Sequence, residues 1–249
     1  MALTIHALSV GRVFDLGKPS FLYLRGWAER IDVPNIMFVI TGGESPIVVD
    51  TGGDPDRSRD VHRLRMERDP QEHPAEAARS VGVDPRDVRW VVNTHLHWDH
   101  SSNNHLFPNA QVVVQRVELE FARRPVTWHQ RNFEALPGMT PSWEDEATRF
   151  RVVDGETELA PGVTLVPLPG HTPGSQGVLV ETAGATYLLA GDCVYLYENW
   201  EGDETWRHIP AGIYTDLEEY QRSFDRIDAL DCEVVPSHDW RVIDRGVFE

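Results

Sequence analysis

The chain has 249 residues and a formal net charge of −17 at pH 7, from 40 acidic and 23 basic side chains. Nucleic acids and anionic membrane surfaces are bound through basic surface, so this balance argues against both as partners. The length suits one large α/β domain over residues 1–249, or two tightly packed halves, with ample residues for a core.

Met1-Ala2-Leu3-Thr4-Ile5-His6 has no basic region ahead of an apolar one, and no apolar run approaches spanning length, so a cytoplasmic location is expected. Residues 3–10 and 34–50 read as early strands. The connector at 18–27 contains Phe21, Tyr23 and Trp27 and is too aromatic for a solvated loop. It is expected to pack into the core, at the mouth of an active site, or against a second copy in a homodimer. Asp50 ends a buried strand before the sharp turn Thr51-Gly52-Gly53. Residues 54–87 are charged and Pro-punctuated. Within them Pro74 to Gly82 predicts a covering helix, with Pro at its start and Gly at its end, and no chemistry.

The densest chemistry lies at His95-Leu96-His97-Trp98-Asp99-His100, which follows the β-rich Val88 to Asn93 and precedes Ser101-Ser102-Asn103-Asn104. The run therefore sits where a strand ends and a short helix begins. In extended backbone His95 and His97 share a face, while Asp99 and His100 in the following turn can address a second position. That geometry suits two cations side by side.

Strand Gln111 to Val114 and a helix beginning at Val117 come next. Residues 123–148 then break pattern with Trp128, His129, Phe133, Met139 and Trp143, as a lid, a pocket wall or an oligomer contact would. His129 has no ligand neighbours in sequence and reads as structural or pocket-lining. Strands are predicted at 150–153, 163–168, 178–180 and 187–189, a polar and aromatic loop at 198–206, and an amphipathic packing helix from Leu217 to Leu230. Three further β-rich runs end in a metal-ligand side chain: His171 in Pro169-Gly170-His171-Thr172-Pro173-Gly174, Asp192 after Tyr187 to Leu189, and His238 after Glu233 to Val235. Ligands at the C-terminal ends of strands converge on the crevice of an open sheet. Cys193 and Cys232 show no ligand spacing, and Cys193 reads as a small buried filler.

Together these segments resemble the metallo-β-lactamase superfamily, whose signature is His-x-His-x-Asp-His followed by a distal His, Asp and His. The resemblance runs from Ile47-Val48-Val49-Asp50 to Ser237-His238-Asp239 and is far more specific for fold and metal centre than for substrate. Pro169 to Gln176, Gly191-Asp192-Cys193-Val194-Tyr195 and the terminal Ser-His-Asp look most like the N-acyl-homoserine lactonase and pyridoxolactonase branch.

The resemblance implies an αββα sandwich of the α/β class, with two mixed β-sheets flanked by helices. It implies that His95, His97 and His171 bind one metal, that Asp99, His100 and His238 bind another, that Asp192 bridges, and that Asp50 braces the metal loop. Nitrogen and carboxylate ligands without thiolate suit two divalent ions, zinc first, with iron, manganese or cobalt also accommodated. A hydroxide shared between such metals would attack an acyl carbon, with no need for Ser237 or Thr172 as nucleophile. Asp99, Asp192 and Tyr195 are then the catalytic candidates, Tyr195 as donor to the carbonyl oxygen or leaving alkoxide. The expected substrate is a small-molecule lactone, of which an N-acyl-homoserine lactone, and hence quorum quenching, is one example. A thioester, amide or phosphoester hydrolase is the alternative. A diiron or sulfur-dioxygenase-like redox protein fits less well, since no flavin-binding motif appears.

Overall fold

The computed structural model describes residues 2–145 and 148–249; positions 146 and 147, in the 123–148 insertion, lie outside the described residues. Its strands form two mixed sheets. In the first, β1 (Thr4–Gly17) and β2 (Arg30–Thr41) make a long antiparallel pair, and β3 (Ile47–Val49) lies antiparallel to β2. The short strand β4 (Arg65–Glu67) pairs with β1. Beyond β3 the sheet turns parallel through β5 (Trp90–Val92), β6 (Gln111–Gln115) and β7 (Phe150–Val153). The second sheet is an antiparallel meander of β8 (Thr157–Ala160), β9 (Val163–Pro167), β10 (Gln176–Glu181) and β11 (Thr186–Leu189). It is completed by β12 (Glu233–Val235), parallel to β11. The last strand, β13 (Val247–Phe248), borders β1.

The Val-rich runs predict strands buried on both faces, and the alternation of side chains sorts them between two cores. Val49, Val92 and Val113 point inward with Phe38 of the same sheet, towards Leu165, Val178 and Leu189 of the facing one. Val48, Val91 and Val112 point outward with Val39 and pack beneath Ala77 and Ala78 of a covering helix, Pro74–Ser80.

In chain order the helices are α1 (Pro55–Arg57), α2 (Pro74–Ser80), α3 (Trp98–Ser101), α4 (Arg116–Arg123), α5 (Tyr197–Glu201), α6 (Leu217–Asp228) and α7 (Trp240–Arg245). Helix α6 starts where the Asp216 carboxylate accepts from the Glu218 and Glu219 amides. It buries Tyr220, Phe224 and Ile227, at the expected spacing of three and four, against Leu168, Leu188 and Val234 on the outer face of the second sheet. Helices therefore cover both outer faces, giving the αββα sandwich. Among the described residues no helix is long and apolar enough to cross a membrane.

Three segments differ from expectation. The first strand continues to Gly17, so the 18–27 connector starts at a sheet corner; Phe21 and Leu22 are buried while Trp27 is 73% exposed. The supposed loop at 198–206 opens as helix α5, because the Asn199 side chain accepts from Leu196 N at 2.8 Å and donates to the Phe21 and Ile209 carbonyls. The insertion after α4 is anchored by buried Phe133 and Trp143, which pack with Leu96, Val114 and Leu119, while Trp128 stays 83% exposed.

Candidate metal centre

All seven ligand candidates lie in the loops and short helical turns that follow strand ends, and they come from both sheets. Strand β5 delivers His95 and His97 directly, and Asp99 and His100 from the first turn of α3. Strands β9, β11 and β12 deliver His171, Asp192 and His238. The side chains gather in two groups, His95, His97, His171 and Asp192 in one, and Asp99, His100 and His238 in the other, each with ligand atoms within 4.8 Å of one another.

Asp192 stands between the groups. Its Oδ2 lies 3.4 Å from His171 Nε2 and 3.7 Å from His95 Nε2, while its Oδ1 lies 3.1 Å from His100 Nε2 and 3.4 Å from His238 Nε2. Asp99 Oδ2 is 3.9 Å from His238 Nε2. One carboxylate thus presents an oxygen to each group, the arrangement that a bridging ligand requires.

The donor set fits metal ions better than it fits itself. His171 Nε2 lies 3.2 Å from His95 Nε2 and 3.0 Å from His97 Nδ1, so three imidazole nitrogens converge on one point. Tetrahedral zinc with ligands at about 2.0–2.1 Å would set such nitrogens roughly 3.3 Å apart. The Nε2 atoms of His97, His100 and His238 are buried without a hydrogen-bond partner, a cost that a cation at the latter two would remove. Burial, reinforced by neighbouring imidazoles, holds His95 and His97 well below the usual histidine range, in the neutral form that binds metal. For His100 and His238 burial also pulls down, but the Asp192 carboxylate outweighs it and raises both, helped at His100 by Asp50. Burial pushes Asp192 up, yet His100, His238 and His95 hold it well below the ordinary carboxylate range.

On three of the histidines the opposite ring nitrogen is committed. His100 Nδ1 meets Asp50 Oδ2 at 2.8 Å, His171 Nδ1 the Ile213 carbonyl at 2.8 Å, and His238 Nδ1 the Pro34 carbonyl at 2.9 Å. Such contacts fix the tautomer and the ring plane. Asp50, in left-handed backbone at φ 56°, also accepts from Thr94 N at 2.8 Å and the Thr94 hydroxyl at 2.7 Å. It therefore braces the loop as the resemblance implies.

Glu118 is the brace that sequence reading overlooked. It sits fully buried on α4, where it accepts from Leu96 N at 2.9 Å, the Thr172 hydroxyl at 2.6 Å and Gly174 N at 3.2 Å. One carboxyl thereby joins the loop carrying His95 and His97 to the loop carrying His171. A Cβ at Gly174 would come within 2.2 Å of Glu118 N, so the close approach needs glycine. Burial pushes the Glu118 carboxyl up to about 7, against its three hydrogen bonds. The available signal was a carboxylate beside Leu119 and in line with Ala122, on the face that the helix buries.

Tyr195 lines the same cavity. Its ring stacks on His238 with centroids 5.3 Å apart and meets His171 edge-on at 5.5 Å, and its hydroxyl lies 3.5 Å from His171 Nδ1. Burial, then the Asp192 charge, pushes the phenol well above its ordinary value, so it keeps its proton. Phe21 packs edge-on against Tyr195 at 5.1 Å, which brings the 18–27 connector to the site.

The cavity over these groups holds about 250 Å³, with Val33, Leu64, Trp98 and Ile213 among its apolar walls and Asn35, Asn132 and Arg131 among its polar ones. From the charged segment 54–87, His62 and Leu64 also line the cavity, with His62 stacked on Trp98 at 4.2 Å, a contribution that its composition does not suggest. A larger groove of about 1010 Å³ shares Asn132 and Ile213 with the cavity and is lined by His129, Phe121 and Trp128, so the insertion walls the approach and His129 is pocket-lining. Cys193 is buried, and burial pushes its thiol above the ordinary range, consistent with a filler.

Residues 31–238 match the family model of the metallo-β-lactamase superfamily. An N-acyl homoserine lactonase of Bacillus sp. is 30% identical over 186 residues, covering 70% of each chain. The N-acyl homoserine lactonase AttM of Rhizobium radiobacter is 29% identical over 240 residues, covering 92% of this chain and 84% of its own. Among solved structures, Bacillus thuringiensis AiiA with N-decanoyl-L-homoserine bound superposes with a TM-score of 0.79 at 23% identity, over 98% of this chain and 97% of AiiA. The dizinc quorum-quenching lactonase AidC does so with a TM-score of 0.72 at 18% identity, over 98% and 89%. The chain therefore belongs to the metallo-β-lactamase superfamily, as a metal-dependent hydrolase whose relatives are N-acyl homoserine lactonases.

Proposed function

We propose that the protein opens lactones at a dinuclear metal centre. The observation that carries this is Asp192, whose two oxygens face two separate groups of histidine and aspartate ligands. His95, His97 and His171 would hold one divalent ion and Asp99, His100 and His238 the other, zinc being the first choice for this donor set. When bound, the pair supplies a nucleophilic hydroxide at neutral pH and a Lewis acid for the carbonyl.

The chain supplies the rest. The Tyr195 phenol keeps its proton and donates to the carbonyl oxygen as charge develops there, or to the alkoxide as the ring opens. Asp99 has a side chain 23% exposed to the cavity and is placed to take up a proton and return it to the departing oxygen. Phe21, Trp98 and Ile213 exclude water from the ring, and Asp50 and Glu118 hold the ligand loops. The lactonase relatives support a lactone over other acyl substrates.

The test is acid release by the metal-loaded protein, followed with a pH indicator, on homoserine lactones of several acyl lengths and on aliphatic and aromatic lactones. A β-lactam, a glutathione thioester and a phosphodiester serve as controls. The highest kcat/KM is expected on a lactone. Preference for any control would replace the lactonase reading with another hydrolase on the same site.

A further inference from the structure

Resting on the lactonase reading, we infer that the cavity selects a compact lactone bearing a free carboxylate, held by Arg131 and Asn35 apart from the metal ligands. Arg131 lines the cavity with no ion-pair or side-chain hydrogen-bond partner among the described residues. The carboxylate three residues along, Glu134, is already taken: Arg57 Nη1 lies 2.6 Å from its Oε2, and His62 Nε2 3.4 Å from its Oε1. The guanidinium is thus a free planar fork beside the reaction centre of a strongly acidic protein.

Asn35 supplies the independent observation. It is fully buried and lines the same cavity, and its Oδ1 accepts from Gly53 N at 2.8 Å, which fixes the orientation of the amide. Its Nδ2 is then a buried donor without a partner. A buried amide N–H₂ left unmade is costly unless a ligand accepts from it. A neutral carbonyl would satisfy Asn35 alone. A carboxylate offers paired oxygens and the charge that complements an unpaired guanidinium.

Cavity size points the same way. At about 250 Å³ the space is below the roughly 300–1,000 Å³ of sites for drug-sized ligands, which suits a small ring with a short substituent. A long acyl chain would have to leave past Asn132 and Ile213 into the groove, where Phe121, Val126, Trp128 and Tyr214 as well as Asp216 and Glu219 form the lining.

The experiment compares the γ-lactone of α-hydroxyglutarate with its methyl ester on metal-loaded wild type and on Arg131→Met and Arg131→Lys. Wild type should favour the acid, and Arg131→Met should lower the acid-to-ester ratio of kcat/KM by at least about tenfold, mostly through KM. Arg131→Lys, which keeps the charge but loses the fork, should recover part of the ratio. Arg131 is exposed, so these variants should fold. A second readout is independent of turnover: calorimetric binding of α-hydroxyglutarate, which Arg131→Met should weaken by a similar factor. If no lactone is turned over but this binding difference appears, the lactonase reading fails and the carboxylate site stands. Equal ratios in wild type and Arg131→Met, or equal binding of the diacid, would overturn the inference.

Discussion

Glu118→Gln isolates what the buried brace contributes. The side chain keeps its volume but exchanges one acceptor oxygen for an N–H₂ group. That group must face either Leu96 N or the pair formed by the Thr172 hydroxyl and Gly174 N. Thr172 can turn to Ser175 Oγ, 2.6 Å away, but a backbone amide has no such freedom. One buried N–H is left facing another donor, a cost of about 1–3 kcal/mol.

Titration adds to this. Burial raises the Glu118 carboxyl from its ordinary 4.5 to about 7, so between those values the folded protein binds a proton that the unfolded chain has released. Stability from this group is therefore present at acid pH and falls as pH rises through about 7. The raised carboxyl is worth about 2–3 kcal/mol at pH 5 and almost nothing at pH 8. Glutamine lacks that contribution. Urea unfolding of chelator-treated wild type and variant should show a gap of about 1–3 kcal/mol at pH 8, wider by about 2 kcal/mol at pH 5. A gap that does not change between these pH values, or a variant as stable as wild type, would refute the account.

Tyr195→Phe should lower kcat on the best lactone by about tenfold to several hundredfold with a smaller change in KM and unchanged metal content, measured by steady-state kinetics; a silent variant would leave Tyr195 as packing. Elemental analysis should approach two metals per chain, with Asp99→Ala losing mainly the ion of the His100 and His238 group; one metal in fully loaded wild type would count against a dinuclear centre. At Glu134, burial pushes the carboxyl up, but His62, Ser142 N and Arg57 overcome it and hold the group at about 2. The stability it provides is present above about pH 4.5 and lost as pH falls towards 2, at most about 3 kcal/mol, so Glu134→Gln should flatten the acid limb of the unfolding curve.

The candidate centre was legible because its proposed ligands are local in sequence: four of the seven lie within six residues, and each of the others follows a β-rich run. Strand ends in a sheet of known alternation carry directional information, so the crevice could be anticipated. Tyr195 was legible only through resemblance, since nothing in the spacing from Asp192 says that the intervening turn brings the phenol onto His238. Glu118, Asn35 and His62 were not legible, because their meaning is tertiary. A glutamate in an amphipathic helix reads as solvated until the facing loop is known. Asn35 reads as one polar residue in a strand, and His62 belongs to a segment whose composition is that of a charged surface.

The seam position of the site explains the density of polar braces around it. His95, His97, Asp99 and His100 belong to the first sheet, and His171, Asp192 and His238 to the second, so ligand geometry depends on how the sheets register. Apolar contact between them is non-directional and cannot fix that register to fractions of an ångström. Directional bonds across the seam can. Gln176 N donates to the Thr94 carbonyl at 2.9 Å, and its side chain donates to the Asn93 carbonyl at 2.9 Å while accepting from Gln115 Nε2 at 2.9 Å. Glu118 adds a further tie from α4, and Asp50 fixes His100 within the first sheet. These bonds sit in a dry interior, where each lost partner is costly and each satisfied one is rigidifying. The hydrophobic sandwich brings the two sets of candidate ligands to the same edge, and the buried amides and carboxylates behind them set the separation at which one aspartate reaches both.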